Sequence, residues 1–508
     1  MYCEGYDELD LRPLLVVFCA ERPRNPGEGT MAPSIEPVCR SLLSPHAPLE
    51  PLSQDELARI HAASLDVLQD VGMDILHPEA RDILAKAGAW VDDERVRFPR
   101  ELVEEAVARA PSRFRLWHHD ESAYLEFGGN AINLGLIASA PYCSDLAGGR
   151  RPGTIADLAK LTRLADNLPA VRMICGYPVE PQDLPAPTRH LDAVHAFLTL
   201  STKPCHAYSL GGARIRDALE MIKIVRGVDE AALAARPSLI SIINTSSPLR
   251  LDHPMADGMM VMAQAGQPVG ITPFTLSGAM SPVTLAGALV QQNAEALAAV
   301  ALMQIVAPGA PVLYGGFTSN VDMRSGSPAF GTPEYARAAL AGGQLARYEG
   351  LPYRSSNVNA SNTVDAQAAY ESMTALWAAI MGHANLIMHG AGWLEGGLTS
   401  SYEKVVLDAE MYDRIEATLT PLPEEAWNFD PADLAAMPRP EEALTEDSLQ
   451  PLQEAYASWR PEPAVQRAAR EVQRLVADHR PPPLDPARLA ALDGFVARRK
   501  HEGGAEAA

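Results

Sequence analysis

The sequence predicts an α/β protein, a TIM (β/α)8 barrel with a helical N-terminal unit and a C-terminal extension. Three observations lead there. From about residue 130 onward, eight short apolar segments bounded by turn residues recur along the chain. Each is followed by a helical pattern, at intervals of ~30 to 45 residues, long enough for a crossover helix between parallel strands. No G-x-G-x-x-G follows any of the segments, which argues against a doubly wound nucleotide-binding sheet.

The strands are predicted at residues 131–135, 172–176, 205–209, 238–244, 268–274, 311–315, 353–357 and 385–390. The barrel with its helices occupies residues 126–415. Ahead of it, residues 1–50 are irregular, with Met31 as a second candidate start, and residues 51–125 form the helical unit. There, Ser53 and Glu56 make a capping-box pattern, Leu57, Ile60, Val67, Leu68 and Val71 mark an apolar face, and Gly72 ends the helix. Further helical patterns cover about 79–87 and 99–110, with a short strand over 96–99 between them. Residues 416–508 form the extension. It is acidic and proline-rich through 421–425 and 438–442, then helical on either side of Pro481-Pro482-Pro483. No catalysis is expected from it, and residues 503–508 are expected to fray.

A chain of 508 residues, 47% hydrophobic and 21% charged, has the composition of a globular protein with a sizeable core. Its net charge of −22 repels phosphate backbones and excludes nucleic acid as a partner, while attracting a cationic ligand or a basic protein face. The six cysteines, Cys3, Cys19, Cys39, Cys143, Cys175 and Cys205, form no C-x-x-C pair and have no histidine at metal-ligand spacing, so reduced thiols and no metal site are expected. The apolar run 14–20 is too short to span a bilayer and lacks a leader's basic flank and cleavage site. A cytoplasmic chain without a membrane partner follows, assembled as a homo-oligomer.

Barrel enzymes carry their chemistry in the loops at the C-terminal ends of the strands, which directs attention to 275–283, 314–320, 357–371 and 389–397. Glu295 follows the first of these in an otherwise apolar helix and is either solvent-facing or a purposeful buried carboxylate. Ser361, Thr363 and Asp365 have the placement of turn and cap residues, whereas Asn359 stands beyond the needs of the cap. Trp393, between glycines, is either a packing anchor or an aromatic face for a cation. His389 ends an apolar strand as a satisfied barrel histidine or a substrate contact. No P-loop, H-E-x-x-H, G-x-S-x-G or Cys/His cluster is present. The chain is built to hold a substrate for a reagent supplied from elsewhere.

Several motifs in order resemble one family. They are Leu57-Ala58-Arg59-Ile60-His61, Leu84-Ala85-Lys86-Ala87-Gly88-Ala89, Thr245-Ser246-Ser247-Pro248-Leu249, Ser281-Pro282-Val283, Asn293-Ala294-Glu295, Asp365-Ala366-Gln367-Ala368 with Glu371, and Gly390-Ala391-Gly392 before Leu394-Glu395. Over residues 52–415 the chain resembles the trimethylamine methyltransferase family. The resemblance implies a barrel methyltransferase that moves a methyl group from a methylated amine to the cobalt(I) of a cobalamin carried by a partner corrinoid protein, with no cofactor held by the chain itself. Archaeal trimethylamine enzymes of the family place pyrrolysine in the loop after strand seven. Here Asn359 stands at about that position in a loop one residue shorter, which implies a non-pyrrolysine member acting on a quaternary amine such as glycine betaine.

A quaternary ammonium already has a neutral amine as its leaving group, so the protein need only orient one methyl and exclude water. On this basis Glu295 and Asn359 are the candidate catalytic residues. Phe274, Phe317, Tyr370 and Trp393 are candidate faces for the cation, and Asp365 and Glu371 add charge complementarity. Arg354 is a candidate anchor for a betaine carboxylate, with Gln367 and His389 as further substrate contacts. Two other classes remain open: a non-catalytic quaternary-amine binding protein, and a barrel lyase or hydrolase using Glu295 and Asp365 as an acid/base pair.

Overall fold

The eight apolar segments become eight parallel strands in the computed structural model, which describes residues 37–427 and 462–505. They are β1 (Ala131–Leu136), β2 (Val171–Met173), β3 (Cys205–His206), β4 (Leu239–Thr245), β5 (Val269–Pro273), β6 (Val312–Gly315), β7 (Tyr353–Ser356) and β8 (Leu386–Ala391). Neighbours in sequence are neighbours in the sheet, through registers such as Val171↔Leu134, Ile243↔Ile271, Tyr314↔Tyr353 and Ser355↔Ile387. A bridge between Ile174 and Cys205 joins β2 to β3, and Leu386↔Asn133 brings β8 back onto β1. The sheet therefore closes into a barrel and leaves no open edge. Every predicted strand overlaps an observed one.

The barrel interior is filled by Met173, Cys175, Ile240, Ile242, Leu313, Leu386 and Met388. Packing is close enough that a Cβ at Gly135 would stand 2.0 Å from Cys175 Sγ, so only glycine fits there. Outside, each strand is followed by a helix, from Ile155–Asp166 after β1 to Tyr402–Leu419 after β8. Thr154, Asp252, Thr284, Thr332, Asp365 and Ser401 cap these helices, each accepting a backbone N–H at the helix start. The Leu285–Val306 helix is long and apolar enough to cross a membrane, but most of it is buried. It packs on β5 and β6 inside and on helices Gln54–Asp66, Pro78–Lys86 and Arg100–Val107 outside, which explains apolar residues on all its faces.

Ahead of the barrel, Ser53 and Glu56 form the expected capping box, and Gly72 (φ 78°) turns the chain where Val96 O leaves no room for a side chain. This region is more mixed than a helical unit. Met73–Ile75, Trp90–Asp92 and Arg95–Arg97 form a small sheet with Arg250–Leu251, and Val38–Cys39 joins Phe114–Trp117 and Ala123–Phe127 in another. Two- to five-residue strands are too short to show a period in sequence. In the extension, helices Ala464–Asp478 and Pro486–His501 flank the triple proline and pack on the outer barrel helices. The acidic run 438–442 lies outside the described residues.

Candidate active site

A cavity of about 620 Å³ opens at the C-terminal ends of the strands, and all eight strand ends contribute to its wall. Ser139 follows β1, Tyr177 follows β2, His206 ends β3 and Tyr208 follows it, Asn244 lies in β4, and Phe274 follows β5; Phe317, Arg354, His389 and Trp393 complete the ring from β6 to β8. One side is aromatic. Phe274 stacks on Phe317 with centroids 5.2 Å apart, Phe330 meets Phe317 edge-on, and Trp393 lies 4.4 Å from His389. Such a wall attracts a cation through its ring faces.

Arg354 supplies the opposite chemistry. Tyr353 points outward, its hydroxyl donating to Ala339 O, so the alternation of the strand turns Arg354 into the barrel. The side chain is buried, with the residue 2% exposed; Nη2 donates to Met388 Sδ at 3.1 Å, while Nε and Nη1 have no partner among the described residues. Its guanidinium lies 5.2 Å from the Phe317 ring centre. Burial lowers its pKa to about 10, so it stays charged at neutral pH. A buried cation with unused donors and no carboxylate beside it is a costly arrangement that an anionic ligand group would relieve.

Two imidazoles sit nearby. His389 has a left-handed backbone (φ 55°), rare for a residue with a side chain and a mark of strain that tends to gather at functional sites. Its Nδ1 accepts the Ala138 N–H at 3.2 Å, which leaves the proton of the neutral ring on Nε2. Burial, with Arg354 adding to it, holds its pKa well below the usual histidine range. Burial likewise lowers His206 to about 3, and neither of its ring nitrogens has a partner. Tyr208 is fixed by Ser139 Oγ at 2.6 Å and by the Tyr177 N–H at 3.2 Å.

Of the residues expected at the site, the structure brings Phe274, Phe317, Arg354, His389 and Trp393 together around the cavity. The other six do not line it. Glu295 is fully buried and accepts from Thr245 Oγ1, Ser247 Oγ, the Leu249 N–H at 2.8 Å and Gln291 Nε2 at 2.9 Å. Three of those donors, Thr245, Ser247 and Leu249, lie at the end of β4 and in the loop that follows it, so Glu295 organises that loop. Glu371 does the same after β7, accepting the Ala360 and Ser361 N–H groups and Gln367 Nε2. Asp365 caps its helix, and Tyr370 is 60% exposed on the helix surface.

Asn359 reaches the cavity indirectly, through Trp393 and through the Gly396 N–H, which donates to Asn359 O at 3.1 Å. Its Nδ2 donates to Trp393 O at 2.7 Å, and the indole N–H donates back to Asn359 O at 3.1 Å. Tyr177, His206, Tyr208 and Phe330 were not anticipated. His206 and Tyr208 lie two apart within the predicted strand 205–209, so strand alternation at its C-terminal end was the available signal. Phe330 sits in the long loop after β6, where the sequence offers no such signal.

The family model described as trimethylamine methyltransferase matches residues 21–441. The chain is 33% identical to the glycine betaine methyltransferase of Desulfitobacterium hafniense strain Y51 over 470 residues, 90% of this chain and 98% of the relative. It is 33% identical to a trimethylamine methyltransferase of Methanosarcina barkeri strain Fusaro, over 73% of this chain and 76% of that one. Among solved structures, the monomethylamine methyltransferase of Methanosarcina barkeri aligns with a TM-score of 0.48 and 9% identity, covering 85% and 88% of the two chains.

Proposed function

The chain belongs to the trimethylamine methyltransferase family and is a methyltransferase acting on a methylated amine; we propose that the donor is a betaine, a quaternary ammonium with its own carboxylate, and that the acceptor is the corrinoid of a separate protein. One observation carries the choice of donor: the charged, unpaired Arg354 guanidinium inside the cavity. A betaine sets its carboxylate on Arg354 and its cationic head on the aromatic wall of Phe274, Phe317 and Trp393. Protonated trimethylamine brings a positive charge and nothing to neutralise Arg354, and like charges a few ångströms apart in a buried site repel by several kcal/mol.

The residues of the chain then bind, orient and dehydrate the donor. None has to move a proton, because the departing amine is neutral, and the neutral His389 and His206 suit that role. Glu295 and Asp365 have no place as an acid/base pair, since neither borders the cavity. When docked, the corrinoid supplies the nucleophilic cobalt that takes the methyl group. The mouth is suited to a partner: Leu146, Val283, Met323 and Leu398 belong to loops after four different strands and are large apolar residues left exposed, Val283 at 80% and Met323 at 81%.

The direct test offers free cob(I)alamin with either glycine betaine or trimethylamine and follows methylcobalamin. Turnover from glycine betaine exceeds that from trimethylamine by about tenfold or more, the equivalent of ~1.4 kcal/mol. Equal or faster use of trimethylamine refutes the donor class. A companion variant separates the cavity from its supports. Glu295→Gln replaces an acceptor of four donors and costs about 1 to 3 kcal/mol of stability, measured by urea unfolding, while affinity for glycine betaine stays unchanged. Loss of affinity without loss of stability would return Glu295 to the site.

A further inference from the structure

We propose that the C-terminal extension is a positioning element of the substrate cavity: the segment Arg499–Ala505 pins the loop that follows β2 and so sets donor affinity. It rests on the cavity being the donor site. That loop supplies Glu180, Ala186 and Arg189 to the cavity wall, with Arg189 and Glu180 forming an ion pair there. Its outer end is held in part by the far end of the chain. The Ala505 N–H donates to Pro187 O at 2.9 Å, and Gly504, at φ 72°, approaches so closely that a Cβ would lie 2.3 Å from Pro187 O.

The tail is itself held by a buried polar hub. Arg499 Nη2 donates to Gly504 O at 2.9 Å, and Arg499 Nε donates to Asp217 Oδ1 at 2.7 Å. Asp217 Oδ2 in turn lies 2.9 Å from Nε2 of His190, the residue following Arg189. Lys500 adds an ion pair with Asp192 on the same helix. From the barrel side the loop is tied by Arg214 Nη2 to Ala186 O and by Asp183 to the Ile155 N–H. Residues 186 to 190 thus sit between a barrel anchor and a C-terminal clamp, with the cavity wall between the two.

This end of the chain is expected from sequence to fray, yet Ala505 is buried. Gly504 accounts for the difference. Its left-handed conformation and missing side chain permit the backbone contact with Pro187 that any other residue would push apart. None of the described residues of the extension lines the cavity, so the influence of Arg499–Ala505 falls on how firmly the donor is held, not on the transfer step.

The test uses the full chain, a chain lacking residues 503–508, and Gly504→Val, whose side chain suits neither the left-handed backbone nor the close approach to Pro187. Hydrogen exchange reads the 182–190 segment, calorimetry reads affinity for glycine betaine, and methylcobalamin formation separates kcat from KM. The expected result is faster exchange confined to that segment, an increase of about tenfold in Kd and KM, and kcat and the thermal midpoint unchanged. A merely structural role would lower the midpoint and leave KM in place, which overturns the proposal. So does unchanged exchange over 182–190 in both variants. If the parent chain ignores glycine betaine, the donor assignment fails, while exchange in the 182–190 segment still decides on the clamp.

Discussion

Arg354→Met loses most of its affinity for glycine betaine and becomes no less stable. The two halves of that result have one cause. In the unliganded protein the guanidinium is buried against Phe317 and Met388 with two of its nitrogens unpartnered, so replacing it by an apolar chain of similar length removes a desolvation cost and leaves no partner stranded. Removing one member of a buried, hydrogen-bonded charge pair costs about 2 to 5 kcal/mol, roughly thirty- to several-thousand-fold in Kd. Calorimetry with glycine betaine and the urea midpoint together decide: an unchanged Kd removes Arg354 from the site, and a lower midpoint makes it a structural residue.

The pH dependence follows from the same groups. His206, lowered to about 3, and His389, held well below its usual range, remain neutral from mildly acidic pH upward. The charged form of Arg354 is the binding form and its pKa is about 10, so affinity is flat across neutrality and falls as pH rises through that value. Carboxylate bound to the guanidinium favours the charged form and moves the fall to higher pH in the complex.

The barrel was legible because closure buries both faces of every strand, which leaves short segments, most of them apolar, at regular intervals, although 353–357 is largely polar. Phe274, Phe317, Arg354, His389 and Trp393 were legible for a related reason, since the ends of the strands point to the mouth. The carboxylates were not. A glutamate in an apolar helix looks the same in sequence whether it faces a ligand or a loop, and the hydroxyl partners of Glu295 stand 50 and 48 residues away. Asn359 fell in the expected loop, but the direction of its side chain depends on Trp393, 34 residues on. Contacts of that range are fixed by the closed barrel and leave no local periodicity. The clamp of Ala505 on Pro187 is the extreme case.

Lys404→Met is the variant with the largest expected effect on stability. Lys404 and Asp408 form an ion pair one helical turn apart, with side chains 1% and 0% exposed. Asp408 Oδ2 also accepts the Gly392 N–H at 2.9 Å, and Lys404 Nζ donates to Ser372 Oγ at 2.6 Å. Ser372 Oγ in turn accepts from Asn359, whose amide holds Trp393. A line of hydrogen bonds therefore runs from an outer helix to the aromatic wall. Removing the lysine leaves a carboxylate buried without its counter-charge, at a cost of about 3 to 5 kcal/mol. The double variant Lys404→Met/Asp408→Leu recovers much of that loss, because an apolar pair of similar volume carries no buried charge. Asp408→Leu still withdraws the acceptor from Gly392, beside Trp393, and the Lys404 donor to Ser372 is gone, so affinity for glycine betaine stays impaired after stability returns. Urea midpoints for both single variants and the double give the coupling energy of the pair. A cost under about 1 kcal/mol for Lys404→Met would place the pair among weakly contributing salt bridges, and parental affinity in the double variant would show that Trp393 is held without it.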